Sequence, residues 1–369
     1  MKLLFTGDLN FRGKESLTTL ESKGIISELE PLLDEVDFRI VNLECPLGDI
    51  AKYKPILKAG PNLICSEKNM PFLKAFRTDA VTLANNHIGD YGEDAIKNTL
   101  ALLDENNILH SGADENIALA YNAFKLEKDG KSVSVISVCE NEFGIATESN
   151  YGSAVYNPRI LLKQIRIEKE NSDYVIVVFH GGNEHNPLPS PDTVDRYRLI
   201  CDMGADAVIG GHTHCPQGYE IYDGKPIVYS MGNFLFKSSG VRDCNDGWYY
   251  GYMSIIDVTD KLEIEIIPYK FNQDATKIIL LGEEMKEYID DLSKIILKPE
   301  LLKKYFMGWA FLHQWVPWRE EGNFDSYDIA VCEAHYSQMK EILKIYAYKE
   351  FDEAKCWAEK IKELQKMPV

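Results

Sequence analysis

Two histidines one residue apart, His212 and His214, stand on a turn opened by Gly211, directly after an apolar run over 205–209. Neutral imidazole is a nitrogen ligand for borderline divalent metals such as zinc, iron or manganese, and two rings on one tight turn can converge on a single ion or an adjacent pair. One His-x-His carries modest weight alone. Its force comes from four other short apolar runs that end in polar turns: 3–6 into Gly7-Asp8-Leu9-Asn10, 38–41 into Asn42-Leu43-Glu44, 80–83 toward Asn85-Asn86-His87, and 174–179 into His180-Gly181-Gly182. Asp8, Asn10, Glu44, Asn86, His180, His212 and His214 form a mixed nitrogen and oxygen donor set suited to two divalent ions, manganese, iron or zinc. Two such ions roughly 3.5–4 Å apart can hold a hydroxide and clamp both oxygens of an in-line phosphoryl displacement, provided a carboxylate bridges them and screens their repulsion. His87, beside Asn86, is the candidate general acid for a leaving group.

Elements of an α/β fold must position these residues. The five apolar runs read as strands, and stretches with helical spacing, such as 93–106 and 192–203, lie between them. Further strands are expected at 133–138, 226–230 and 252–258, and the alternation of apolar and charged residues over 262–268 predicts a half-exposed strand. In such folds ligands gather beyond the carboxyl ends of the strands. All five polar turns fall at that end, so they are expected to form one site. From about residue 282 the pattern turns helical, with runs at 284–297, 333–347 and 352–365. The reading is a body over 1–275 and a helical extension over 280–369 packed on it, with Trp309, Phe311, Trp315 and Trp318 as packing residues.

The totals narrow the function classes. With 40 basic and 58 acidic residues, the net charge of −18 repels nucleic-acid phosphates, and no basic stripe offsets it. Bound cations would still make one pocket attractive to an anionic substrate. The apolar start, Leu3-Leu4-Phe5, is too short for a signal-peptide core, and no segment approaches the ~20 apolar residues of a membrane helix. The eight cysteines are scattered without a Cys-x-x-Cys pair, as in a reduced compartment. The expectation is a cytoplasmic protein without membrane insertion.

The ordered set Gly-Asp, Asn-x-Glu, Asn-His, His and Gly-His-x-His resembles the calcineurin-like metallophosphoesterase superfamily. Within it, Asn42-Leu43-Glu44-Cys45-Pro46, Ala84-Asn85-Asn86-His87, His180-Gly181-Gly182-Asn183-Glu184, the stretch from Gly204 to His214, and Tyr229-Ser230-Met231-Gly232-Asn233-Phe234 resemble the CapA capsule-synthesis proteins of poly-γ-glutamate biosynthesis. The resemblance covers roughly residues 2–240 and implies a four-layer α-β-β-α sandwich with two metals at the strand ends. It implies Asp8 and His214 at the first metal with Asn10 nearby, Glu44 as the bridge, Asn86, His180 and His212 at the second metal, and His87 as the catalytic histidine. Asn10 stands where most phosphoesterases have His, and Glu44 is a methylene longer than the usual Asp; both departures alter the first site.

Glu184 and Asn233 are candidate substrate contacts, with a surface position and a plain turn as their respective alternatives. Arg196, Arg198 and Arg242 could meet an anion or sit on helix surfaces. Three functions fit: a metal-dependent hydrolase or transferase of capsule or poly-γ-glutamate metabolism using a metal-bound hydroxide, a general phosphoesterase on small phosphate esters or nucleotides, and a non-catalytic binder of an anionic polymer.

Overall fold

The computed structural model describes residues 1–12, 16–58, 60–240, 242–313 and 332–368. Two sheets stack face to face. In the eight-stranded sheet, Lys2–Asn10, Phe38–Leu43, Ala80–Thr82 and Leu109–Ser111 run parallel in that spatial order, and Tyr250–Val258 joins antiparallel on the other side of Lys2–Asn10. Leu262–Phe271 and Ile278–Leu280 continue that side, while Asn233–Phe236 pairs with the end of Lys2–Asn10. The six-stranded sheet has parallel Lys131–Cys139, Tyr174–His180, Ala207–Gly211 and Lys225–Val228 at its centre.

Strand periodicity makes the layers. Ile176 and Val178 face the core shared with the first sheet, whereas Val175, Val177 and Phe179 face the helices Pro158–Asn171 and Pro191–Asp202 through Leu161, Ile165, Tyr197 and Ile200. On the far side of the first sheet, Leu33, Phe72, Leu73, Ile96 and Leu103 from short helices and from Gly92–Glu105 close the outer layer. The result is the expected α-β-β-α sandwich. The sheet runs past residue 275 and its last strand ends at Leu280.

The helical extension comprises Glu283–Ile296, Pro299–Leu312, Glu333–Tyr348 and Phe351–Leu364. It packs on the outer face of the six-stranded sheet, with Leu292, Ile296, Leu302, Phe306, Trp309 and Ile361 in the same core as Val208 and Tyr229. Trp309 is buried and stacks with Phe306, as the packing reading expects. Trp315 and Trp318 lie outside the described residues. Among the described residues no helix is long and apolar enough to cross a membrane.

One contact fixes how Asp8 is presented. The backbone N–H of Asp8 donates to the carbonyl of Gly232 (3.0 Å), and a Cβ on Gly7 would stand 1.9 Å from that oxygen. Only glycine lets the two strands approach. Gly7→Ala is therefore expected to cost about 3 kcal/mol, read as a lowered urea midpoint. Gly24→Ala, in the helix Thr19–Ile25 with open space around its Cβ, should instead stabilise by up to about 1 kcal/mol.

Candidate metal centre

The carboxyl ends of the central strands of both sheets meet at one rim, and Asp8, Glu44, His180, His212 and His214 converge there. Donor atoms of Glu44, His180 and His212 lie within 4.8 Å of one another, and so do those of Asp8, Glu44 and His214. Glu44 belongs to both groups. Its Oε1 is 3.7 Å from His180 Nε2 and 3.8 Å from His214 Nε2. Asp8 Oδ1 lies 3.8 Å from His180 Nδ1, and Oδ2 lies 3.7 Å from His214 Nδ1. All five residues are buried.

Local structure aims each group. Asp8 lies within the strand Lys2–Asn10 rather than on a turn after it, at a register shift against both neighbouring strands. Its carboxylate accepts from Asn42 Nδ2 (2.6 Å) and from the backbone N–H of His212 (3.0 Å), so the two sheets are tied through the site itself. A Cβ on Gly211 would stand 2.9 Å from Asp8 Oδ1, which explains the glycine before the histidine turn. His212 and His214 both hold positive φ, 92° and 56°, a conformation uncommon outside glycine and concentrated at functional sites.

His180 ends its strand, with Nε2 at 3.1 Å from Asn86 Oδ1 and 3.2 Å from His212 Nδ1. His87 is buried with Nδ1 2.6 Å from Asp90 Oδ2, which leaves Nε2 as the free ring nitrogen. Asp90 also pairs with Lys58, whose Nζ is 2.5 Å from Oδ1 and 3.1 Å from His87 Nδ1. Lys58 comes from a loop, yet its side chain is 2% exposed.

Electrostatics follow from burial. Desolvation pushes the Asp8 carboxyl up to about 6 against the opposing Asn42 hydrogen bond, and drives Glu44 well above the carboxylate range, with Asp8's charge adding to the shift. The same desolvation draws His214 down to about 3 and His180 well below 6.5. His87 is lowered by burial although Asp90 pulls the other way. His212 moves the other way: against the pull of burial, the charges of Glu142, Glu184, Glu140 and Asp8 raise it, so His180 and His214 are the rings held in the neutral state that a cation needs from a nitrogen ligand.

Asn10 and Asn233 are both engaged by neighbouring groups in this structure. Asn10 gives its Nδ2 to the Glu44 carbonyl (2.9 Å), and its Oδ1 accepts from the Arg12 N–H (2.9 Å), so it fixes the Glu44 backbone. Asn233, expected at the substrate, is fully buried and spends its amide on His214 Nδ1 (2.9 Å) and the Trp248 carbonyl (3.1 Å); it sits behind the histidine and orients it. Glu184 lies half-exposed at the rim, 3.9 Å from His185. Arg196 and Arg198 pair with Glu140 and Glu220, and Arg242 packs over Trp248.

Other residues here had weak signals or none. Asn42, two before Glu44 on one strand, and Asp90, three after His87, were close enough in sequence to find. Glu142 follows a sixth strand end and lies 3.7 Å from His212 Nε2. Trp248, whose ring sits 4.6 Å from that of His214, and Lys58 had no signal.

Residues 2–238 match the family described as bacterial capsule synthesis protein PGA_cap. Over 239 residues the chain is 31% identical to the capsule biosynthesis protein CapA of Bacillus anthracis, covering 62% of this chain and 57% of that protein. Over 244 residues it is 29% identical to the PGA biosynthesis protein CapA of Bacillus subtilis (strain 168), covering 64% of each. The chain thus spans between 57% and 64% of the length of these curated relatives. Among solved structures, a hypothetical protein from Thermus thermophilus aligns with a TM-score of 0.46 and 16% identity, covering 73% of this chain and 99% of that one. A putative 5'-nucleotidase from Staphylococcus aureus aligns at 0.43 and 14%, covering 80% and 59%.

Glu44 makes the electrostatics testable without any substrate. In chelator, Glu44→Gln removes a buried acid lacking donors and is expected to raise stability by about 1–3 kcal/mol. With manganese added, wild type should gain about 2.7 kcal/mol at 100-fold excess over Kd, and the variant far less. Paired thermal melts with and without manganese read both signs.

Proposed function

The chain belongs to the bacterial capsule synthesis protein PGA_cap family, and from that premise we propose that it is a metal-dependent hydrolase or transferase acting on an anionic substrate in poly-γ-glutamate capsule metabolism. The observation that carries the reading is Glu44: both carboxylate oxygens are buried without a hydrogen-bond donor among the described residues, between two sets of histidine and carboxyl groups. An isolated buried carboxylate is costly unless paired or bound to a cation. The donor set therefore fits a pair of divalent ions. Asp8 and His214 would hold one, Asn86, His180 and His212 the other, and Glu44 would bridge them. Nitrogen ligands mixed with carboxylates suit manganese, iron or zinc.

Divalent cations at this centre supply Lewis-acid activation of an anionic group and a nucleophile at neutral pH. The chain's own residues do the rest. Asp90 and Lys58 fix the His87 ring at Nδ1; in the tautomer in which Lys58 donates to Nδ1, the ring proton sits on Nε2, the atom that would hand it to a departing oxygen or nitrogen. Glu44 and Asp8 would balance the cations' charge.

Substrate enters along a cleft of about 520 Å³ beside His214, lined by His185, Trp248, Arg242 and Lys366. The Arg242 guanidinium lies 4.5 Å over the Trp248 ring and pairs with Asp246 (3.1 Å), and Trp248 packs on His214. Asp243 and Asp246 also line the cleft, so a carboxylate-bearing polymer would need bound cations to reverse the local potential.

Purified full-length protein incubated with manganese should retain bound metal and cleave a phosphoester or poly-γ-glutamate probe. His87→Ala should lower turnover by roughly 10²–10⁴-fold with metal content unchanged, whereas His214→Ala should lose metal as well. Elemental analysis that finds no retained transition metal overturns the reading.

A further inference from the structure

A second group of donors lies where the helical extension meets the strand ends. Ligand atoms of Glu140, Glu142 and Cys332 come within 4.8 Å of one another. Glu140 follows the strand Lys131–Cys139, and Cys332 caps the 16-residue helix Glu333–Tyr348 with no side-chain capping hydrogen bond. The two elements are nearly two hundred residues apart in the chain, and the helix start is also held by Asn183, on the loop after Tyr174–His180, which donates to the Ala334 carbonyl (3.1 Å).

Glu140 carries the independent sign of a ligand. It is 2% exposed; one oxygen pairs with Arg196 Nη1 at 2.5 Å, and Oε2 is buried without a hydrogen-bond donor among the described residues. Glu142 adds a carboxylate whose side chain is 9% exposed. Among the described residues the Arg196 guanidinium pairs with Glu140 alone, while Glu142 faces His212 (3.7 Å). Cys332 is 1% exposed at the start of the helix Glu333–Tyr348, and burial together with the charges of Glu140 and Glu142 holds its thiol well above the usual range, so an entering cation has to displace the proton.

We propose that Glu140, Glu142 and Cys332 form a further binding site for a thiophilic divalent cation, zinc by its ligand set, that staples the helical extension to the rim of the sandwich. A thiolate with two carboxylates selects zinc over magnesium or calcium, which take oxygen alone. Zinc lies ~2.3 Å from thiolate sulfur and ~2.0–2.2 Å from carboxylate oxygen, so donors already within 4.8 Å reach it by side-chain rotation. The thiol proton leaves to solvent as the ion enters. The site adjoins the strand-end centre, since Glu142 lies 3.7 Å from His212, but Glu140 and Cys332 belong to neither of the ligand sets proposed there, and the inference stands whether or not that centre is catalytic.

Full-length protein loaded with zinc, or with cobalt as its spectroscopic substitute, tests this directly. Wild type is expected to hold one more ion per chain than Cys332→Ser, and to show a thiolate-to-cobalt charge-transfer band that Cys332→Ser and Glu140→Gln lose. Peptide mapping after alkylation should find Cys332 modified at least about tenfold more slowly in zinc than in chelator, and amide exchange over 333–340 should slow with it. Glu44→Gln separates the two centres, because it should lose ions at the strand ends and keep the cobalt band. An equal ion count in Cys332→Ser, or wild-type protein without a band and with zinc-independent alkylation of Cys332, overturns the proposal. The wild-type measurements decide the matter even if a variant fails to fold.

Discussion

Glu44 sets the terms for everything around it. Its carboxylate is sealed from water, receives no hydrogen bond on either oxygen among the described residues, and has Asp8 for a neighbour in the same pocket. A bare carboxylate in such a place costs several kcal/mol, and a second one nearby makes matters worse. Burial answers by driving Glu44 toward the neutral acid and the neighbouring His180 and His214 toward neutral imidazole. Those shifts are in opposite senses of charge, yet they have one source: a cavity that no group among the described residues neutralises. The donors there could hold a cation, and the left-handed backbone at His212 and His214 is part of what positions them.

How the fold keeps such a centre in register is visible in its asparagines. Asn42 fixes the Asp8 carboxylate, Asn10 the Glu44 carbonyl, Asn86 the His180 ring and Asn233 the His214 ring. Asn85 grips the Leu43 carbonyl and receives the His87 N–H. Neutral amides suit this work, because each presents a donor and an acceptor in a fixed plane and adds no charge to a pocket already crowded with it. A carboxylate in the same positions would deepen the repulsion around Glu44. The one charged pair admitted beside His87 among the described residues, Lys58 with Asp90, carries no net charge and serves that histidine.

Strand ends were the legible part of the sequence. Asp8, Glu44, His180, His212 and His214 each close an apolar run, and parallel strands in two stacked sheets bring such ends to one rim, so convergence could be inferred before any coordinates. Hydrogen-bond duties were not legible. Asn10 and Asn233 look like ligand and substrate contacts in a string of polar turns, and which neighbour each amide faces depends on register shifts at Asp8 and on the close approach of Gly7 to Gly232. Lys58 was beyond reach for another reason: a buried lysine delivered by a loop leaves no periodic trace, and its partner is known only once the loop closes over Asp90. Glu140 and Glu142 belong to a sixth strand end, at 133–138, whose acidic tail follows Cys139 without a glycine or histidine to mark it.

The helical extension belongs to the same physical problem. The loop after His180 has little secondary structure of its own, yet it carries Glu184 and His185 at the mouth of the cleft. It is held from one side by the histidine turn, where the His185 N–H donates to the Thr213 carbonyl (2.8 Å). From the other side the extension grips it, through Gln365 to the His185 carbonyl (3.1 Å) and through Asn183 to the Ala334 carbonyl. Ser337 adds a bond to Asp192 at the start of the helix that follows (2.6 Å). A loop clamped on both faces loses the freedom that an isolated glycine-rich turn would have, and that rigidity fixes one wall of the cleft against His214 and Trp248. Among the described residues the extension therefore acts on the candidate centre through the backbone of residues 183–185 and contributes no side chain to the Asp8, Glu44, His180, His212 and His214 cluster.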